Sequence, residues 1–475
     1  MPSKQLSRRS FLQSSMWMGV GFTGLRHFAA LAESAGAYAA THLTGHGYGP
    51  LVQDPAHILD LPRGFSYRII SRQGTPMIDG LMVPGKADGM ATFAGPEGKT
   101  LIIRNHELSQ ETRELGPFGA HNERLRRVPA GSFFDTGSAE FPCIGGTTTM
   151  VYDTRTGQLD YEFLSLVGTI RNCAGGPTPW GTWLTCEETV DQPCKIRQRK
   201  HGYVFEVPAS ATPRLAEPVP ITAMGRFQHE AVAIDPLSGV VYLTEDRTDS
   251  LLYRFLPNQS GKLHWGGRLQ ALVVQGQPGC DTRNWPRTGA ATFPLQQALP
   301  VTWIDLDRTD APDDDLRMRG HKQGAALFAR GEGIWYGNGA CYVACTNGGY
   351  QAQGQIFRYV PSPYEGQNRE REAPGQLELF LEPNKTRLLE NCDNLTVSPG
   401  GDLIVCEDRN DSRLVGITPE GHFYVLGVNV GFPSEFAGAV FSPDGSTLFV
   451  NIQHAGLTLA ITGPWHHSAA QTSRT

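Results

Sequence analysis

The sequence predicts an all-β fold, a six-bladed β-propeller with inserted loops or lids. Glycine (55 residues) and proline (33 residues) are abundant in the 475-residue chain, without a repeating period. Many short strands joined by tight turns produce such a composition. The second observation is a hairpin pattern that occurs six times: a polar residue, a strand, a Pro/Gly turn, a second strand and another polar residue. Six such units, each completed by outer strands, form a closed ring of blades.

The first forty residues are predicted to be an export signal. Ser7-Arg-Arg-Ser-Phe-Leu12 resembles the twin-arginine motif, an apolar stretch follows from residue 16 to residue 25, and Ala30-Leu-Ala32 suits cleavage. A membrane anchor is the alternative, but the stretch is short for a spanning helix and is followed by Arg26 and His27. We therefore expect the twin-arginine export machinery as a partner, no stable membrane span, and a mature protein that is periplasmic or secreted.

The composition also limits the classes of partner. The formal net charge of −6 is mild and the basic residues form no stripe, so nucleic acid is not expected as a partner. The sequence has no G-x-S-x-G nucleophile elbow and no phosphate-binding glycine loop that opens a helix. We expect a monomer that acts on a small molecule.

The clearest hairpin unit runs from Asp393 to Asp408. Apolar runs flank the turn Ser398-Pro-Gly-Gly401. Because a hairpin returns to the rim from which it started, Asp393 and Asn394 are expected beside Glu407 and Asp408. Clustered carboxylates repel one another unless a cation lies between them, so this rim is predicted to be half of a metal site.

The other units repeat this order of residue types. They occupy residues 88–107, 172–188, 229–246, 332–347 and 435–454. Two of the gaps between units exceed the length of a blade and predict insertions near 108–145 and 260–328. Residues 41–465 are assigned to the propeller and 466–475 to a disordered tail. A β-sandwich built from a series of hairpins is the alternative.

In a propeller, all six pairs of strand ends meet at one mouth near the central axis. The residues expected there are Glu107, Cys186, Glu187, Glu188, Glu230, Glu245, Asp246, Glu332, Asp393, Glu407, Asp408, Glu435 and His454. Carboxylate oxygens suit Ca²⁺, and a thiolate together with carboxylates suits iron or zinc. The pattern therefore predicts a polynuclear metal site.

Two further polar residues are candidates for binding a substrate at this mouth. Arg330 lies two residues before Glu332, and a planar guanidinium beside metal ions suits a phosphate or carboxylate group. A salt bridge to one of the many carboxylates is the alternative role for Arg330. Asn105 and His106 end the second strand of the first unit and could contribute in the same way as Arg330.

Several segments together resemble the PhoX-type alkaline phosphatases over most of the chain. They are the twin-arginine start, Gly145-Gly-Thr-Thr148 with Val151-Tyr-Asp153, Thr182-Trp-Leu-Thr-Cys-Glu-Glu188, Arg226-Phe-Gln-His-Glu230, Arg330-Gly-Glu332, Asp393-Asn-Leu395 and Asn451-Ile-Gln-His454. The resemblance implies a six-bladed propeller that holds an iron and calcium cluster (Fe³⁺ and Ca²⁺) at one end of its axis and hydrolyses phosphate monoesters.

The resemblance also implies roles for individual residues. The iron or bridging ligands would be Cys186, Glu230, Glu332 and Asp393. The calcium ligands would be Glu107, Glu187 and Glu188. Arg330 would contact the phosphate and stabilise charge in the transition state of a metal-assisted hydrolysis. Arg330, Glu332 and Cys186 are therefore the catalytic candidates.

Two other functions are compatible with an acidic propeller mouth. A calcium-dependent lactonase or phosphotriesterase would keep the carboxylates but would need no thiolate ligand, so Cys186 distinguishes it from the phosphatase. A non-catalytic binding propeller of the TolB type would hold calcium for structure and would hydrolyse no ester.

Overall fold

The computed structural model describes residues 47–289, 292–383 and 387–466. The twin-arginine motif, the apolar stretch after it and the predicted cleavage site lie outside these residues, as do residues 467–475 of the predicted tail. Export therefore stays a prediction. None of the described helices is long and apolar enough to cross a membrane.

Strands dominate the described residues. They are β1 (Leu51–Val52), β2 (Leu59–Pro62), β3 (Ser66–Arg72), β4 (Ala87–Ala94), β5 (Thr100–His106), β6 (Gly145–Asp153), β7 (Gln158–Thr169), β8 (Asn172–Pro177), β9 (Thr182–Glu187), β10 (Val204–Pro208), β11 (His229–Ile234), β12 (Val241–Glu245), β13 (Tyr253–Pro257), β14 (Gly267–Val274), β15 (Leu299–Asp305), β16 (Gly331–Gly337), β17 (Ala340–Cys345), β18 (Gln355–Val360), β19 (Gln376–Leu381), β20 (Cys392–Val397), β21 (Leu403–Glu407), β22 (Arg413–Ile417), β23 (Phe423–Asn429), β24 (Phe436–Phe441), β25 (Thr447–Ile452) and β26 (Leu457–Thr462).

Helices are confined to the connections in this part of the chain. The described α-helix is α1 (Leu316–Lys322). The short 3₁₀ helices span Pro96–Gly98, Gln110–Leu115, Leu125–Arg127, Ala130–Ser132, Thr222–Met224, Leu263–Trp265, Pro286–Thr288 and Glu370–Glu372.

Antiparallel pairing sorts most strands into six groups. The first five groups are β4–β7, β8–β10, β11–β14, β16–β19 and β20–β23. The sixth consists of β24, β25, β26 and β3, so a strand from early in the chain completes the last unit. β15 joins the third and fourth groups into one nine-stranded sheet, and β2 extends the fifth.

The first strands of the six groups form a closed ring. Going round it, β4 contacts β8, then come β11, β16, β20 and β24, and β24 returns to β4. The prediction of an all-β, propeller-like fold is confirmed. The count of six blades stays a prediction, which this ring of inner strands favours.

An irregularity in register interrupts the inner strand of every group. The shifts lie between Ala87 and Met90, Asn172 and Gly175, His229 and Val232, Gly331 and Ile334, Cys392 and Leu395, and Ala437 and Val440. A β-bulge of this kind adds an unpaired residue, bends the strand and turns side chains away from the regular alternation.

The apolar core fills the spaces between neighbouring groups. In one cluster, Leu184 and Val204 of the second group pack with Val232, Leu243 and Tyr253 of the third. Full burial of one aliphatic side chain stabilises a fold by about 1.5–3 kcal/mol. Packing between the groups therefore holds the inner strands, and the residues at their ends, in fixed positions around the axis.

The two predicted insertions correspond to the two longest connections only in part. The connection between β5 and β6 packs Phe118, Phe133 and Ile144 into a small core shared with β7 and the β3–β4 connection. The predicted segment 260–328, in contrast, includes β14, the outer strand of the third group. The spacing between units does not distinguish the outer strand of a blade from an insertion. The predicted start of the insertion at residue 260 therefore lies before the end of the third group.

The two ends of the described chain pack against each other. His466, the first residue of the predicted disordered tail, stacks on Tyr48 with 4.6 Å between ring centroids. Trp465 contacts Phe65 edge to face, with centroids 4.7 Å apart. The start of the tail is therefore packed against the fold.

Candidate metal centre

Five of the six inner strands carry a metal-ligating side chain inside the bulge. In each case it is the first residue of the bulge, directly after the first paired residue of the strand. These residues are Asp88, Cys173, Glu230, Glu332 and Asp393. Because the inner strands form a ring, the five equivalent positions converge on the axis.

The sixth inner strand has glycine at the equivalent position. Gly438 has a φ of 65°, and a Cβ there would lie 2.3 Å from the Asp88 carbonyl oxygen. The amide of Gly438 donates to Asn394 Oδ1 at 2.6 Å. β24 therefore approaches its neighbours closely instead of supplying a ligand.

Two groups of donor atoms at the mouth are tight enough to hold a metal ion. One consists of Cys173, Glu188 and Glu230, and the other of Glu230, Glu332 and Asp393. Within each group the ligand atoms lie within 4.8 Å of one another. Glu230 belongs to both groups, so its carboxylate is placed to bridge two ions.

At the end of the second strand of a unit, the alternating direction of side chains decides which residue faces the mouth. Glu187 and Glu188 are adjacent at the end of β9, but their side chains point in opposite directions because side chains alternate along a strand. Glu188 faces the axis. Asp246 and Asp408 lie just beyond β12 and β21 in the same relation to Glu245 and Glu407.

Glu187 is a correction to the predicted calcium ligands. Its carboxylate accepts hydrogen bonds from His201 Nδ1 at 2.6 Å and from the amides of Ile170, Gly202 and Tyr203 at 3.0, 2.8 and 3.2 Å. These four bonds lie inside the blade. Glu187 is therefore a buried structural carboxylate, away from the mouth.

Glu245 and Glu407, which the hairpin pattern also placed at the mouth, behave in the same way. Tyr253 donates to Glu245 at 2.7 Å. Arg413 donates to both carboxylate oxygens of Glu407, at 2.6 and 2.7 Å. The prediction for these two residues was wrong for the same reason: the last regularly paired residue of the strand points into the blade.

Arg171 is a mouth residue that the sequence analysis missed. Its Nη2 lies 2.9 Å from Glu107 and also bonds to Glu188, while its Nε donates to the Glu188 carbonyl oxygen at 3.0 Å. It has a φ of 50° just before β8, a conformation that is uncommon for a residue with a side chain. No sequence pattern marked this residue, since the turn that aims it is irregular.

Arg330 lies at the mouth as predicted. Its Nε and Nη2 donate to the two carboxylate oxygens of Asp246 at 2.8 and 3.1 Å, and Nη2 donates to Glu332 at 2.7 Å. Nη1 lies 3.8 Å from Asp408, beyond hydrogen-bonding distance, and 30% of the side chain is exposed. One edge of the guanidinium thus forms salt bridges and the other faces the opening.

The mouth carries an excess of negative charge. The carboxylates of Asp88, Glu107, Glu188, Glu230, Asp246, Glu332, Asp393, Asp408 and Glu435 face the basic side chains of Lys86, Arg171 and Arg330. Burial and the neighbouring carboxylates raise the pKa of Asp88, Glu230, Glu332 and Asp393 well above its usual range. The same two causes raise the pKa of Glu188 to about 8 and of Glu435 to about 9.

This charge distribution fits bound cations. Carboxylates that are ionised at neutral pH in such a site need positive charge that the three basic side chains do not supply. Burial and Glu230 also raise the pKa of the Cys173 thiol, which a coordinated metal ion would deprotonate. A thiolate among carboxylates suits iron, and a set of oxygens suits calcium.

Cys186 is the second correction, because the thiol at the mouth is Cys173. Both thiols are buried in the apolar cluster between the second and third groups, but Cys186 belongs to neither group of ligands. Cys173 lies in the β8 bulge, with Sγ 3.4 and 3.5 Å from the carbonyl oxygens of His229 and Glu230. Aligning the units by their first strands would have found it, since an acid or thiol precedes glycine, alanine or asparagine in all five.

Asn105 is the third correction. It is fully buried, and its amide nitrogen donates to the carbonyl oxygens of Cys173 and Ala174 at 3.1 and 2.7 Å. Its oxygen accepts from Trp183 Nε1 at 2.8 Å and Thr185 Oγ1 at 2.9 Å. All four hydrogen-bonding positions are thus used within the protein. Asn105 holds the strand that carries Cys173 and cannot also bind a substrate.

The remaining candidates surround the two ligand groups. Gln453 donates to Asp88 at 2.9 Å and to Glu107 at 3.2 Å. Asp408 lies close enough to Glu435 to contribute to the raised pKa of that carboxyl group. His454 is exposed, and its amide donates to Ser434 Oγ at 2.9 Å. Glu107 and Glu435 therefore lie at the mouth, although outside the two tightest groups.

A family model and a solved structure both match most of this chain. The family model described as Alkaline phosphatase PhoX matches residues 46–456. The structure of Pseudomonas fluorescens PhoX in complex with vanadate, a transition state analogue, has a TM-score of 0.62 at 18% identity, and covers 86% of this chain and 96% of that chain. The match to a gluconolactonase from Xanthomonas campestris has a TM-score of only 0.37 at 10% identity, and covers 88% of this chain and 99% of that chain. A search of curated sequences found no match.

Proposed function

Because the chain belongs to the PhoX family of alkaline phosphatases, we propose that it hydrolyses phosphate monoesters at iron and calcium ions held in the axial mouth. The observation that carries the proposal is the shared carboxylate of Glu230, which joins a thiol-containing ligand group to an all-carboxylate group. The vanadate bound by the Pseudomonas fluorescens PhoX structure supports phosphoryl chemistry in this fold.

The type of ligand atom assigns the residues of the mouth to iron or to calcium. Cys173, Glu188 and Glu230 would hold iron, and Glu332 and Asp393 would share a second ion with Glu230. The outer oxygens of Asp88, Glu107 and Glu435 suit calcium. When bound, such ions neutralise the phosphoryl oxygens as Lewis acids.

The side chains of the chain itself bind and orient the phosphate. Asp246 and Glu332 hold Arg330 by one edge, so its orientation is set before a substrate arrives. The Nη1 edge then donates hydrogen bonds to the phosphate oxygens. These bonds become stronger as negative charge grows on the oxygens in the transition state. Arg171 holds Glu188 against Glu107 and keeps that ligand in one orientation.

The physiological location follows from the predicted signal. We infer that the chain folds around its metal ions and is exported by the twin-arginine route as a monomer, so that it acts in the periplasm or outside the cell. A thiol in the metal centre also argues against a calcium-only lactonase, a distinction that Cys173 now provides in place of Cys186.

The test is metal analysis beside hydrolysis of p-nitrophenyl phosphate, on protein purified without chelator. Cys173→Ala should lose iron and activity together. Cys186→Ala is the matched control, since it removes a buried thiol thirteen residues away on the neighbouring strand and should keep both. Calcium without iron in the wild-type protein, or equal effects of the two substitutions, would overturn the proposal.

A further inference from the structure

A second cluster of ligating side chains lies inside the fold, away from the axial mouth. It consists of Asp135, Cys143 and His201, whose donor atoms lie within 4.8 Å of one another. All three residues are buried, with the Cys143 and His201 side chains fully so. Asp135 and Cys143 come from the connection between β5 and β6, and His201 comes from the segment before β10. Nothing in the proposed hydrolysis uses them.

The hydrogen bonds of His201 define which nitrogen faces the cluster. Nδ1 donates to Glu187 at 2.6 Å, and three backbone amides hold that carboxylate in place. Nε2 therefore points at Asp135 and Cys143. A carboxylate behind the second nitrogen of a histidine is the arrangement that orients histidine ligands in metal sites.

The distance between His201 and Asp135 is compatible with a shared metal ion as well as with a long hydrogen bond. His201 Nε2 and Asp135 Oδ2 are 3.4 Å apart. A charge-assisted hydrogen bond would bring them to about 2.7–2.9 Å. Two ligands of a tetrahedral zinc ion, each about 2.0–2.1 Å from the metal, are separated by about 3.3 Å.

Backbone amides fix the orientation of the Asp135 carboxylate. Its Oδ1 accepts from the Gly137 amide at 2.7 Å, and Oδ2 accepts from the amides of Gln198 and Arg199 at 2.7 and 2.8 Å. Despite burial, these bonds and His201 hold the pKa of Asp135 near 2, so it is ionised. The connection after β5 is therefore tied to the segment before β10 at this point.

We propose that Asp135, Cys143 and His201 bind one zinc ion inside the fold. The donor set of one thiolate, one imidazole and one carboxylate is typical of zinc. The ion would fasten the β5–β6 connection to the second blade, behind Glu187 and next to the strand end that carries Glu188. This site is independent of the proposed phosphatase activity.

The competing arrangement has a proton in place of the metal. Burial alone would disfavour the charged imidazole, but Glu187 and Asp135 outweigh it and raise the pKa of His201 to about 12 in metal-free protein. An imidazolium would then bridge the two carboxylates and no metal would bind. The experiment must therefore separate a thiolate-bound metal from a protonated histidine.

Cobalt provides that separation, because a Co²⁺–thiolate bond has a charge-transfer absorption. The background is Cys173→Ala, which removes the thiol from the axial mouth. We expect the absorption after Co²⁺ is added to Cys173→Ala, and its loss in Cys173→Ala/Cys143→Ser. No absorption in the first protein, or equal absorption in both, would overturn the proposal.

Crystals of the wild-type protein provide a measurement that needs no variant to fold. Protein produced with zinc in the medium should show anomalous scattering above the zinc edge, and none below it, between Asp135, Cys143 and His201. Metal analysis should then find one zinc per chain in excess of the axial ions. An empty triad in those crystals would overturn the proposal even if the axial mouth were fully loaded.

Discussion

Glu187 accepts a hydrogen bond from His201 Nδ1 at 2.6 Å inside the blade, although it is adjacent in the chain to Glu188 at the mouth. The alternation of β9 separates the two carboxylates into different environments, with Glu187 bonded to the buried His201 and Glu188 between Arg171 and the acids of the mouth. Two neighbouring residues of the same type thus have different roles, and substitution distinguishes them.

Glu188→Gln should remove metal and activity, whereas Glu187→Gln should mainly destabilise the fold. The first substitution takes an anionic ligand from the group with Cys173 and Glu230. The second removes the buried anion that accepts hydrogen bonds from His201 Nδ1 and three backbone amides, and each buried group left unsatisfied costs about 1–3 kcal/mol of unfolding free energy. Urea unfolding and axial iron content measure the two effects. Loss of iron from folded Glu187→Gln would contradict the assignment.

Arg330→Lys should lower kcat/KM for p-nitrophenyl phosphate by roughly 100- to 1000-fold, the usual effect of removing one donor to a transition-state charge. Lysine keeps the charge but cannot bond to Asp246 in a fork while it faces the substrate. Metal content should not change. If the loss of activity is matched by a loss of metal, Arg330 maintains the cluster and does not bind the phosphate.

Asn105→Ala should reduce stability without raising KM. It leaves the carbonyl oxygens of Cys173 and Ala174 and the donors of Trp183 and Thr185 without their partner. Each buried group left unsatisfied costs about 1–3 kcal/mol. Urea unfolding and steady-state kinetics on the folded fraction test this. An increase in KM at unchanged stability would restore the predicted substrate-binding role.

Metal-free protein should become less stable as the pH rises from about 4.5 to about 9. In the folded state the pKa of Glu188 is raised to about 8 and that of Glu435 to about 9, mainly by burial. The folded state then binds more protons than the unfolded chain. The stability that these protons contribute is fully present below the pKa of the groups in the unfolded chain, and it is lost as the pH rises through their raised pKa in the folded state.

Urea unfolding across this pH range, after treatment with chelator, measures the effect. The metal-loaded protein is the control and should show a much smaller decrease, because bound cations stabilise the ionised carboxylates. A metal-free protein whose stability rises with pH over the same range would show that the mouth carboxylates are ionised without metal.

Gly438→Ala should disrupt the ring where β24 meets β4. A Cβ at this position would lie 2.3 Å from the Asp88 carbonyl oxygen, so the strand that carries Asp88 must move. Gly339→Ala is the matched control, because Gly339 has a similar φ of 75° but open space around it. The control should lose about 1–2 kcal/mol of stability, the cost of the left-handed conformation alone. Thermal melting and calcium content compare the two, and equal losses would exclude the steric explanation.

Much of the candidate site could be predicted from the sequence. Glu230, Glu332 and Asp393 begin their hairpin units after a turn, and a local pattern of polar residue, strand and turn identified them. Glu107, Glu188 and Glu435 were identified in the same way, and Arg330 from its position two residues before Glu332. The structure brings all four to the mouth.

The errors at Cys186, Glu187 and Asn105 arise from features that a local sequence pattern does not show. Regular alternation along a strand predicts a facing direction only when the register is known, and a one-residue shift reverses every side chain. The bulge in β8 made that shift between Asn172 and Gly175 and put Cys173 at the mouth. The hydrogen-bonding partners of Asn105 lie at least 68 residues away, so no local pattern could show that its side chain is saturated.

The sequence by itself determined the all-β class, the repeated hairpins and the acidic character of their ends, because strand, turn and charge patterns are local. The tertiary structure decided which of two adjacent acids faces the axis, which thiol joins the cluster and how Asp135, Cys143 and His201 meet. Those outcomes depend on bulges, on the completion of the sixth group by β3 and on packing between distant segments. The contacts that set their energies appear only when the chain has folded.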